Sequence, residues 1–198
     1  MSQGTMQLGG MVGARVIRAP GPGLAWKLAN FHNVWPGTWR HALARVCRMN
    51  HMLGCLRAVL IRANGERVNY GLVSTQVVTT AFVNFVVDQL QTETSQFGDF
   101  KYHDSGVGTT GAAEGDTDIE TTDAEDRATG TQIEGASANI YKSVGTIAYT
   151  TSKAITEHGL FSQASGTTLM DRHVFAAINV VNGDSIEFSF ELTVTAGG

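Results

Sequence analysis

The sequence predicts a mainly β protein: a jelly-roll-like β-sandwich body with an extended N-terminal arm and one or two short helices. Three observations carry that prediction. First, Ile186, Phe188, Phe190, Leu192 and Val194 alternate with Ser185, Glu187, Ser189, Glu191, Thr193 and Thr195. A period of two over that length puts one face of a strand on a core and the other in water or against a partner. Second, charged residues make up only 16% of the 198 residues and Gly contributes 23 of them. Roughly 25% charge is usual in soluble domains, so the composition argues against a coiled coil, a helical bundle or a disordered tail. Third, the chain beyond Asn139 is a series of strand-like runs separated by turn residues, with Asn182-Gly183-Asp184 marking the last turn.

The elements follow in order. Residues 1–37 hold Gly9, Gly10, Gly13 and the run Ala19-Pro20-Gly21-Pro22-Gly23, which disfavours regular structure. Yet Trp26, Phe31, Trp35 and Trp39 sit in or just after this stretch, so an arm that packs on a neighbouring subunit is expected. Residues 38–56 suggest a helix capped by Thr38, with Leu43, Val46, Cys47, Leu53 and Leu56 roughly on one side. Residues 56–62 and 67–73 flank Asn64-Gly65, whose positive φ preference marks a hairpin. Residues 79–91 carry Phe82, Phe85, Val86, Gln89 and Leu90 at helical spacing after Thr79 or Thr80 as cap; the β-branched content makes a strand the competing reading. A short strand is expected over 100–105 and further strands over 141–151, 154–162, 168–181 and 185–195. Between them, residues 106–135 hold seven acids from Glu114 to Asp126 and almost no large apolar group, so an exposed loop or two edge segments without a core contribution is expected. The division is thus a basic arm with a short helix over 1–55 and a β-sandwich body over 56–198, the acidic loop included. Removal of residues 1–37 is expected to leave the body folded but to weaken assembly.

Charge is split along the chain. Residues 1–67 hold nine Lys/Arg and only Glu66 as acid, a balance of +8, whereas residues 68–198 hold five bases and seventeen acids, a balance of −12. Such asymmetry points to an acidic partner for the leading segment, or to neutralisation within or between subunits. The basic and aromatic residues Arg15, Arg18, Trp26, Lys27, Phe31, Trp35, Trp39, Arg40, Arg45 and Arg48 are therefore the candidate partner contacts. Two cysteines do not make a disulfide framework, so a reducing place of synthesis is expected. No apolar run reaches the 18 residues of a membrane span, and no secretory signal begins the chain.

The motifs that suggest chemistry are weak. Gly106-Val107-Gly108-Thr109-Thr110-Gly111 matches G-x-G-x-x-G, but carboxylates follow it where a dinucleotide site needs a helix N-terminus. Of His41, Cys47, His51 and Cys55, the last three share one face of a helix, but eight residues of helix span about 12 Å, so two of the three could bind one zinc and all three could not unless the helix breaks at Gly54. Asp116, Asp118 and Glu120 have calcium-like spacing, yet an EF-hand loop would need Gly and Glu where Thr121 and Arg127 stand. His103-Asp104-Ser105 contains the triad residue types, but neighbours on a strand point to opposite faces. Glu157-His158 and Asp171-Arg172-His173 read as structural hydrogen bonding. The basic segment with its tryptophans carries no recognised nucleic-acid motif, so nucleic acid is not expected as partner. No catalytic residues, metal or cofactor are expected, and no enzyme.

The stretch Ala154-Ile155-Thr156-Glu157-His158-Gly159-Leu160-Phe161-Ser162, followed by Leu169-Met170-Asp171-Arg172-His173-Val174-Phe175 and Asn182-Gly183-Asp184-Ser185-Ile186, resembles small virion proteins of tailed bacteriophages. Residues 78–85 and 102–106 are similar to that group too, and a looser Ile-Thr-Glu-x-Gly-Leu-Phe pattern resembles phage tail and collar fibre proteins. The resemblance covers about 70–198. It implies a non-enzymatic virion protein, a capsid decoration (cement) protein that stabilises the head shell, made in the host cytoplasm, contacting the major capsid protein and assembling as a homo-oligomer. A tail, neck or baseplate component is the alternative it implies.

Overall fold

A computed structural model describes residues 21–46, 51–76, 78–90, 100–166 and 168–195. Eleven elements are described: α1 (Leu24–Val46), β1 (His51–Ile61), β2 (Arg67–Gln76), α2 (Thr80–Leu90), β3 (Tyr102–Gly106), β4 (Ala128–Thr129), β5 (Thr131–Glu134), β6 (Ile140–Ala148), β7 (Lys153–Phe161), β8 (Leu169–Val180) and β9 (Ser185–Thr195). The strands form two antiparallel sheets packed as a β-sandwich. One runs β2-β1-β9-β6-β5, the other β4-β3-β7-β8.

β9 is the centre of the first sheet, paired with β1 and β6 on its two sides. Its alternation is used as the sequence predicts: Ile186, Phe188, Phe190 and Leu192 are buried. On its other face Glu187 meets Arg67, and Glu191 meets Arg57 and Lys142. Against that apolar row lie Leu56 and Leu60 of β1 and, from the second sheet, Ile155, Leu160, Phe175 and Ile178. The β1–β2 hairpin closes through Gly65 N–H to Arg62 O at 2.8 Å and Arg62 N–H to Glu66 O at 2.8 Å, with Gly65 at φ +84°, a conformation that costs glycine little. α2 forms as a helix rather than a strand because Thr79 caps it: Phe82 N–H donates to Thr79 Oγ1 at 3.2 Å.

Two expectations are corrected. Residues 24–37 are not an irregular arm: the helix begins at Leu24 and continues through Pro36-Gly37 to Val46. Nor do residues 51–56 close a helix; they open β1, which pairs with β2 and β9. Hydrogen bonding on both sides of a central strand outweighs the helical spacing of Leu53 and Leu56. The acidic segment also differs from expectation. Ile119 is buried with Phe161 and Leu169 in a small second core, so residues 107–127 cover the outer face of the second sheet and give β7 and β8 a buried environment on both sides.

Candidate functional site

Helix α1 lies across the open side of the sandwich, between β2, the edge of one sheet, and β8, the edge of the other. Residues 26, 30 and 33 recur at steps of four and three and form its inner face. Trp26 Nε1–H donates to Ala176 O (3.0 Å) and Ala177 O (3.1 Å), and its ring meets Tyr70 edge-on at 4.8 Å. Asn30, buried, donates from Nδ2 to Val73 O of β2 at 2.6 Å and accepts at Oδ1 from Ala176 N–H of β8 at 2.8 Å. Asn33 Nδ2 donates to the same Oδ1, and Thr75 Oγ1 donates to Val34 O. The helix thus satisfies backbone groups that two edge strands otherwise present unpaired.

The opposite face of α1 is apolar and exposed. Leu24, Leu28, Phe31 and Trp35 recur at steps of four, three and four, and are 72%, 69%, 58% and 58% exposed. Phe31 and Trp35 stack on each other at 5.5 Å. Lys27 and His32 flank the row, and no acid occurs from Leu24 to Val46. A contiguous apolar patch of this kind marks an interaction surface. Of the candidate contacts, then, Lys27, Phe31 and Trp35 lie exposed on α1, while Trp26 anchors the helix internally. Trp39, Arg40 and Arg45 belong to the C-terminal half of α1; Arg15, Arg18 and Arg48 lie outside the described residues. Sequence spacing held the signal for the outer row (Leu24 and Leu28 complete it), but reading the segment as irregular hid it.

The glycine motif turns out to embrace one of the protein's own carboxylates. Glu157 Oε1 accepts from Gly108 N–H (2.9 Å) and Thr121 N–H (2.8 Å), and Oε2 from Glu120 N–H (2.9 Å). A Cβ at Gly106 or Gly108 would overlap the Glu157 side chain. Arg172 completes the pocket at 2.8 Å from Oε2 and reaches Asp116 at 3.0 Å and Glu120 at 3.4 Å. Arg127 pairs with Asp104 (2.9 Å) and Asp118 (3.6 Å) and lies 3.4 Å over the Phe161 ring. Lys153 pairs with Glu125 at 2.8 Å. The calcium-like row Asp116, Asp118, Glu120 therefore faces two guanidinium groups, and much of the acidic segment is neutralised within the chain.

A second polar cluster lies between the sheets. His103 Nδ1 is 2.9 Å from His158 Nε2, and His103 Nε2 is 2.9 Å from Ser143 Oγ. His158 and His173 are register partners on β7 and β8, and His173 Nε2 lies 3.1 Å from Asp171 Oδ1. All five side chains are buried. Burial lowers His103 and His173 to about 3 and takes His158 well below the usual imidazole range, and it raises Asp171 well above the usual carboxylate range. The three imidazoles are thus neutral at pH 7, and burial favours the protonated form of Asp171. His158 Nδ1 has no hydrogen-bond partner. If His158 Nε2–H donates to His103 and His103 Nε2–H to Ser143, that unpaired atom is a bare acceptor rather than a stranded N–H, the cheaper arrangement. Asp104 meets Arg127 on the outer face, while Ser105 Oγ donates to Asp123 Oδ2 at 2.5 Å. The three consecutive triad types therefore serve separate partners, as strand alternation requires. His51 and Cys55 lie on β1, and Cys47 lies outside the described residues; among the described residues no group of three His, Cys, Asp or Glu is arranged to hold a metal. No described helix is long and apolar enough to cross a membrane.

Comparison of the chain with protein-family models, with curated proteins and with solved structures finds no match.

Proposed function

We propose that the chain is a structural protein of a tailed-bacteriophage virion, a capsid decoration (cement) protein that stabilises the head shell through protein–protein contacts. The observation that carries this reading is the exposed row Leu24, Leu28, Phe31, Trp35 on a helix whose other face is clamped to both sheets. A rigid scaffold presenting aromatic side chains suits a protein partner. The interior supports the reading as well: the ionisable clusters are spent on each other and on backbone amides, which suits a load-carrying β-sandwich. The resemblance over about 70–198 supplies the virion context.

The reading is tested on the source particle. Antibody labelling and image reconstruction of purified virions should place hundreds of copies over the head, in contact with the major capsid protein. A dozen or so copies at the tail vertex would instead assign the chain to the neck, tail or baseplate, and absence from the particle would remove the proposal.

A further inference from the structure

We infer that the apolar row of α1 is occupied by helix α2 of a second copy of this chain. The inference deepens the reading above by naming the partner of this surface. α2 carries its own exposed row: Val83, Val87 and Leu90 are 45%, 49% and 78% exposed, at steps of four and three. Both helices therefore present ridges at the spacing that packs knobs into holes at a shallow crossing angle. The sizes are complementary. α1 offers two leucines and two stacked aromatics, and α2 offers two valines and one leucine, so large side chains of one ridge meet small ones of the other.

Charge selects this pairing over α1 against α1. Every ionisable side chain of α1 is basic or a histidine, and Lys27 and His32 border its row, so two copies of α1 face to face bring like charges together. The only ionisable side chain of α2 is an acid, Asp88, so α2 brings no second cation to Lys27. Nor does the acidic segment 114–126 serve as the partner for α1, because Arg172, Arg127 and Lys153 of the same chain already hold four of its seven carboxylates, those of Asp116, Asp118, Glu120 and Glu125.

The row on α1 exposes on the order of 500 Å² of apolar surface. One α1–α2 contact then falls below the roughly 1,200 Å² of a stable specific interface. The association is accordingly concentration-dependent unless each copy makes the contact twice, once through each helix. Because the two surfaces differ, the contact closes as a two-fold pair with both helices engaged, or repeats around a ring or along a chain.

The test uses the full chain in sedimentation velocity over a wide concentration range, with two variants, Leu28→Glu/Phe31→Glu on α1 and Val83→Glu/Val87→Glu on α2. Circular dichroism checks folding, and Ser replaces Glu at the same positions if either variant fails to fold. Wild type should associate, each variant alone should stay monomeric at every concentration, and an equimolar mixture should form one-to-one heterodimers at the top of the range, joined by the single contact between the intact α2 of one variant and the intact α1 of the other. A wild type monomeric throughout, an α2 variant that associates like wild type, or a mixture that stays monomeric would each overturn the inference. A virion protein that is monomeric in solution would lose this inference and keep its place on the particle, so the two readings fail separately.

Discussion

The amide of Asn30 joins the two sheets, donating to Val73 O on β2 and accepting from Ala176 N–H on β8. No other described side chain contacts the backbone of both these strands through hydrogen bonds. Asn30→Ala strands two buried backbone groups, at about 1–3 kcal/mol each. A loss of about 2–4 kcal/mol in urea unfolding is expected, and Trp26 fluorescence should report helix undocking before the global transition. Unchanged stability would mean that water replaces the amide. By the same geometry, removal of residues 1–37 takes away Trp26 and Asn30 and uncovers both edges, so the truncated body should melt earlier and aggregate, which thermal unfolding and light scattering would read.

The buried histidines set the acid limb of stability. In the unfolded chain each titrates near 6.5, but in the folded protein His103 and His173 stay neutral, with one ring proton each, and take up the second only at about 3. Between those values the unfolded state binds more protons, so each removes about 1.4 kcal/mol per pH unit as pH falls. Asp171 acts in the opposite sense: its folded value is raised, so it costs stability as pH rises above the unfolded carboxylate range. Chemical denaturation from pH 7 to pH 4 should therefore show stability falling with acidification, and His103→Gln should flatten that slope by about one proton. A variant slope equal to wild type would show that His103 is protonated in the folded state.

Glu157 and Arg172 form a buried pair in which three backbone amides also depend on the carboxylate. Glu157→Gln leaves Arg172 short of a counter-charge and turns an amide N–H₂ toward donors, so a loss of about 3–5 kcal/mol is expected. Limited proteolysis should then cut within residues 107–127, because that segment is anchored here. Cleavage as slow as in wild type would show the segment is held elsewhere.

Gly54 on β1 lies beneath Asp171, and a Cβ at that position would overlap the carboxylate and approach Phe190. Asp171 is fully buried and has no room to yield. Gly54→Ala should destabilise by about 1–3 kcal/mol through overpacking. In the Asp171→Ala background the same substitution should cost much less, a coupling measurable as a double-mutant cycle. Additive losses would place the strain in the strand backbone.

Much of the architecture was legible in local sequence. β9 announces itself through strict alternation, the first hairpin through Asn64-Gly65, and α2 through Thr79 followed by apolar spacing, because strand period, turn conformation and helix capping depend on neighbours in the chain. The beginning of β1 was not legible, since its conformation is imposed by pairing with β2 and β9. Nor was the span of α1: Pro36-Gly37 reads locally as a break, and only docking of Trp26 and Asn30 on two sheet edges holds the helix ahead of it.

What the sequence determined alone was therefore the sandwich class, the central strand and the presence of aromatic, basic residues near the start. The tertiary structure decided which of those aromatics face inward and which outward, and it assembled the histidine row and the Glu157 pocket. The contact of His103 with His158 spans 55 residues of chain, and that of Glu157 with the Glu120 amide spans 37. Cross-strand register and sheet packing bring such residues together, and neither is encoded in any single local segment.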